Sequence, residues 1–134
     1  MTFSKTTSLI LSTCFVLGTA QASFAAASPT TKQVAIGLND VYVPGGFDSN
    51  ADSYVIANGL FPNGCYKWDR AEVKHVATFE HEVQPYANVS QGMCIMVLVP
   101  FSKEIRVGKL ASGTHTLKFL NGDGTYLQKT MNIE

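Results

Sequence analysis

The stretch "AEVKHVATFEHEVQ", residues 71–84, decides how the rest of the chain is read. Its odd positions are Ala71, Val73, His75, Ala77, Phe79, His81 and Val83, and its even positions are Glu72, Lys74, Val76, Thr78, Glu80, Glu82 and Gln84. Apart from Val76, apolar and polar side chains alternate with a period of two. That is the pleat of a half-buried strand, or of a hairpin whose turn is hidden, and it does not fit the 3.6-residue period of a helix. One face is expected in a core and the other in water.

Working outward, short strand-like runs are separated by turn chemistry, and no segment beyond the first thirty or so residues carries a helical period with caps. "VYV" stops at Pro44-Gly45-Gly46, "SYVIANGL" stops at Phe61-Pro62-Asn63-Gly64, and a further strand is expected to begin at Cys65. "MCIMVLV", residues 93–99, is apolar at every position, as a central strand covered on both faces would be, and Pro100 closes it. "EIRV" precedes Gly108, and residues 114–120 and 125–133 flank "NGDG", a pair of strands around residues that tolerate positive φ. Seven or eight strands at this spacing predict an all-β fold, an antiparallel sandwich.

At "VGKLASGTHTLKF" the spacing of Leu110, Gly113 and His115 resembles the corner between the E and F strands of immunoglobulin-like and fibronectin type III-like domains, where a Leu, a Gly and then a Tyr recur. With "LFPNGCY", "CIMVLVPF" and "NGDG", the chain is similar over most of residues 41–133 to the small β-sandwich domains of exported bacterial proteins, many of which have no assigned activity. Two departures stand out. His115 replaces the corner Tyr, so it is expected to hydrogen-bond a nearby backbone group in its stead. Trp68 follows Cys65 by three residues, so any disulfide from Cys65 joins different strands from the antibody one. The resemblance implies a fold and no particular chemistry.

The N-terminal residues read as an export signal: Lys5, an apolar run from 9 to 17, then Ala20-Gln21-Ala22 at the spacing of a signal-peptidase site. The expected division is a signal peptide over 1–22, with cleavage as late as 27, a flexible tether over 23–32, and one domain over 33–134. "LSTC" resembles a lipobox faintly, but Thr13 suits it poorly and the apolar run continues past Cys14, so the ordinary signal is preferred. Taking Lys5 from the ten basic residues leaves nine against ten acidic ones, a near-neutral product without a basic run, which argues against a nucleic-acid partner. No later apolar run has membrane length, so no transmembrane segment is expected in the mature chain.

Export leaves two of the three cysteines, and an oxidising compartment, periplasmic or extracellular, favours joining Cys65 to Cys94. By chain entropy such a cross-link is worth roughly 3.5 kcal/mol. Metal sites are the rival reading. His75 and His81 lie about 20 Å apart in one continuous strand and approach only if the chain turns near Ala77-Thr78. Met93, Cys94 and Met96 suggest soft-metal ligation, but Met93 and Cys94 alternate faces and an oxidised Cys94 is no thiolate. "DSNAD", residues 48–52, opens like a calcium loop and then lacks the required Gly and the closing Glu. No metal or other cofactor is assigned.

There is no Gly-x-Ser-x-Gly elbow, no phosphate-cradling glycine loop and no helix with paired metal histidines, so the chain is not read as an enzyme. The expected function is that of an exported binding or accessory protein, a stapled sandwich presenting loops to a protein partner, with Phe47, Phe61 and Trp68 as contact residues. The alternatives are a copper-type metal-binding protein built on His75 and His81, and an inhibitor that inserts the "PGGF" loop into an exported protease.

Overall fold

The computed structural model describes residues 30–134; the expected signal peptide, its cleavage site and Cys14 lie outside them. Eight strands follow one another: β1 (Thr31–Ala35), β2 (Asp40–Tyr42), β3 (Ser53–Phe61), β4 (Tyr66–Ala77), β5 (Glu80–Ser90), β6 (Val99–Gly108), β7 (Gly113–Leu120) and β8 (Tyr126–Ile133). No helix occurs among the described residues, so none there is long and apolar enough to cross a membrane.

The alternating stretch is the β4–β5 hairpin, turning at Thr78 and Phe79, with His75 directly opposite His81. The turn was hidden because odd positions pair with odd ones across it, so the alternation runs through unbroken. A bulge near Asp69 shifts the parity of β4, which lets Trp68 and Ala71 both face the interior. On β5 the alternation is strict: His81, Val83, Pro85 and Ala87 are buried and their neighbours are not.

β5 is the hub of a five-stranded sheet. β4 runs antiparallel along one edge, while the other edge is shared end to end by β7, at residues 80–83, and β1, at residues 86–90. Pro85, which has no N–H to give, sits where β5 passes from one partner to the other, and the Gln84 side chain bridges the gap by donating to Pro85 O and Leu120 O. The β5–β7 pair is parallel; all other named strand pairs are antiparallel. β8 pairs with β7 around the "NGDG" turn, where Asp123 accepts from the Thr125 N–H. The second sheet has the order β2-β3-β6.

The two sheets pack face to face. Val55, Ala57, Ile105 and Val107 from the smaller sheet meet Val83, Leu117, Phe119, Met131 and Ile133 from the larger. A second cluster of Ile36, Phe61 and Ala87 closes the end where β3, β4 and β1 converge, with Trp68 and Phe101 lying between the two. Phe101 covers Gly59 so closely that a Cβ there would overlap its ring, which explains a glycine in a central strand.

Two expectations are corrected. Residues 93–98 are not a central strand: they form an exposed connection between β5 and β6, and only Val99 enters β6. A strand also begins at Thr31, inside the span expected to be tether, because Thr31 and Lys32 find partners in Ser90 and Val89.

Candidate functional site

The β4–β5 hairpin is about 35 Å long, and chemistry-bearing residues gather at its two ends. At the turn end three histidines form one hydrogen-bonded chain. The His115 Nε2–H donates to the Ala111 carbonyl at 2.6 Å, and since a carbonyl only accepts, this bond sets the polarity of the rest. With neutral rings, His115 Nδ1 then accepts from the His81 Nε2–H at 2.8 Å, and His81 Nδ1 accepts from the His75 Nδ1–H at 2.6 Å. His81 and His115 are buried, whereas His75 is exposed and keeps Nε2 outside the chain.

Burial, followed by the neighbouring His75 and His115 rings, pushes the His81 pKa below its ordinary value. His115 thus does what the corner reading expects, bonding the backbone four residues upstream, with Leu110 buried beside it. Gly113, at φ 135°, takes a conformation that L side chains rarely adopt and leaves room for the Phe79 ring. Beside this chain lies an open cavity of about 630 Å³ bounded by the turn at 77–80 and by Thr116, Lys118 and Gln128. Its one ion pair, Lys118 to Glu80 at 2.8 Å, is internally satisfied.

The hairpin does bring His75 and His81 together, but as hydrogen-bond partners. No group of three His, Cys, Asp or Glu side chains among the described residues is arranged to hold a metal ion. In the "DSNAD" loop, Asp48 turns its carboxylate onto the N–H groups of Asn50 and Ala51, a side-chain-capped turn.

The opposite end carries the cross-link. Cys65 and Cys94 form a disulfide spanning 29 residues of chain, with Cys65 buried. Asn63 accepts from the Cys65 N–H at 2.9 Å and so closes the "PNG" turn, while Gly64 N–H donates to Ile95 O and Ser90 N–H to Cys65 O. These bonds fasten the 91–98 connection at its foot and leave its side chains outside. Met93 is fully exposed, Ile95 is 74% and Met96 79% exposed, and Val97 and Leu98 are also exposed. Five large apolar side chains within six residues stand in water on a covalently fixed base.

The expected contact residues Phe47, Phe61 and Trp68 are engaged in packing. Phe61 is 5% exposed and stacked on Tyr66 and Phe101, so it serves packing. Trp68 is half-buried against both clusters. Phe47 packs edge-on to Tyr54 and lies on the core, where its carbonyl accepts from Glu134 N–H beside the outer edge of β8. In the "PGGF" loop this turns the phenylalanine inward. The exposure of this apolar connection was missed because an unbroken apolar run is the signature of a buried strand; its cysteine, tied to a turn at the sandwich end, was the one available sign that the run stays outside.

A family model described as the ORF11 β-sandwich domain matches residues 55–133, more than half of the chain, and the chain belongs to that family. Comparison with curated proteins and with solved structures gives no match.

Proposed function

We propose that this member of the ORF11 β-sandwich domain family is an exported, non-catalytic binding module whose binding element is the apolar tip at residues 93–98. The observation that carries this reading is the run of exposed Met93, Ile95, Met96, Val97 and Leu98 held on the Cys65–Cys94 cross-link. Apolar side chains grouped in this way are costly in water and mark a surface that is covered in use. The disulfide lowers the entropy lost when the tip is immobilised on a target.

Export is supported by the apolar run over 9–17 with its small-residue cleavage spacing, and by the disulfide, which persists in oxidising compartments. A role without catalysis is supported by the histidine chain, whose buried nitrogens are all engaged in holding the fold. The Leu110, Gly113 and His115 corner supports an immunoglobulin-like kinship within the sandwich class, with the parallel β5–β7 pair as a departure from it.

A photo-crosslinking residue placed at position 93, compared with one at exposed Thr78 on the far end, tests the reading in the protein's native exported fraction. Adducts confined to position 93 are expected. Equal labelling at both ends, or none, would remove the tip as the binding element.

A further inference from the structure

We infer that the target of the 93–98 tip is a lipid surface bearing negative charge. This deepens the binding-module reading and rests on it. The first argument is the chemistry of the tip itself. Its exposed side chains are Met, Ile, Met, Val and Leu, with no hydroxyl, amide, charge or aromatic ring among them, and Cys94 is consumed in the disulfide. Protein interfaces are enriched in aromatic residues, Arg and Met, and draw most of their energy and register from Trp, Tyr and Arg anchors and from directional hydrogen bonds; of these the tip has only methionine. An aliphatic and thioether knob offers neither, but the interior of a bilayer asks for neither. Methionine, unbranched and flexible, adapts to a disordered apolar medium.

The second argument is charge. The segments that make up this end of the molecule are residues 30–32, 60–67 and 89–100, and their only formal charges are Lys32 and Lys67, both exposed. No carboxylate lies among them. The next one along β4, Asp69, is engaged by Arg70 and by the Gln33 side chain. An apolar tip on an end whose only charges are two exposed lysines, Lys32 and Lys67, is an arrangement that an anionic headgroup layer attracts.

At the foot of the tip Gln91 N–H donates to Thr30 O, which ties the start of β1 to the same end. Docking requires only that the side chains of 93–98 enter by about 5–10 Å, since the Gly64-to-Ile95 and Val97-to-Ile95 bonds already occupy part of the loop backbone.

The experiment is co-sedimentation of the oxidised exported protein with vesicles of phosphatidylcholine alone and of phosphatidylcholine with phosphatidylglycerol, at low ionic strength and at about 0.15 M salt. The wild type is expected to sediment with the anionic vesicles and to be released in part by salt. I95S/M96S, at exposed positions, is expected to abolish sedimentation while leaving the circular dichroism unchanged. K32Q/K67Q is expected to weaken it by about fivefold per lysine. Wild-type protein that stays in the supernatant with both vesicle types at low salt overturns the lipid inference, as does sedimentation that I95S/M96S leaves unaltered. If vesicles fail while the position-93 crosslinker joins another protein, a second copy included, the tip is a protein-docking element: the lipid inference falls and the binding-module reading stands.

Discussion

His115 bonds the backbone four residues upstream, and its second nitrogen extends that bond into a chain that reaches the surface at His75. The middle ring is the sensitive one. Because the folded protein holds His81 below the ordinary 6.5, the unfolded chain takes up the proton first on acidification. Stability is therefore undiminished above about pH 6.5 and falls as pH drops from there toward the folded value, by up to roughly 1.4 kcal/mol per pH unit for one such group. Urea denaturation across pH 5–8 is expected to show this decline, and His81→Leu to remove that ring's share of it; an unchanged slope in the variant would place the titrating group elsewhere. His115→Ala leaves both Ala111 O and His81 without their partner and opens a cavity, so a loss of about 3 kcal/mol is expected from the same measurement. Gly113→Ala, forced to positive φ against Phe79, is expected to lose about 1–2 kcal/mol. The corner was legible because Leu110, Gly113 and His115 stand at a fixed spacing within a few residues. The bond from His115 to His81 was not legible, since 34 residues and a parallel strand pairing lie between them.

Among the elements, the β4–β5 hairpin and the connection after it show what periodicity conveys. Alternation over residues 71–84 gave the faces of β5 and of β4 as far as Val73, because the pleat places Val73 and Val83 inside and Glu72 and Glu82 outside; toward the turn it failed, and His75, Ala77 and Phe79 on the same parity are exposed. The unbroken apolar run over 93–99 misled for the complementary reason: without alternation there is no face to read, and burial was supplied by assumption. The cross-link decides the geometry there. Cys94 is drawn to Cys65 in the turn after β3, so residues 93–98 cannot extend β6 along the sheet. Replacing both cysteines by serine is expected to lower stability by roughly 3.5 kcal/mol, because the unfolded chain regains the freedom of a 29-residue loop. In the same variant, limited proteolysis is expected to cut first within 92–98; if cleavage there is no faster than in the oxidised protein, the hydrogen bonds at the foot alone hold the tip.

For the whole molecule, stability is expected to centre on β5, the strand that pairs with three others, β1, β4 and β7. Native-state hydrogen exchange should find the slowest amides at residues 81–88 and faster exchange in β2 and β6, the outer strands of the smaller sheet. Slower exchange in β6 than in β5 would mean that the smaller sheet forms the stable unit. The sequence by itself determined the class of fold, the facing of β5, the turn at "NGDG", the bond of His115 to nearby backbone and the choice of Cys65 and Cys94 as partners. Each of these rests on local sterics, on a period shorter than one strand, or on the small number of cysteines. Only the tertiary structure decided that β5 is shared by β1 and β7, that Phe61 and Phe47 turn inward, that three histidines line up, and that the most hydrophobic stretch of the domain stands outside its core. Those outcomes depend on which distant segments meet, and hydrophobicity is indifferent to partner: it states that a side chain is to be covered, while the packing of the whole chain decides what covers it.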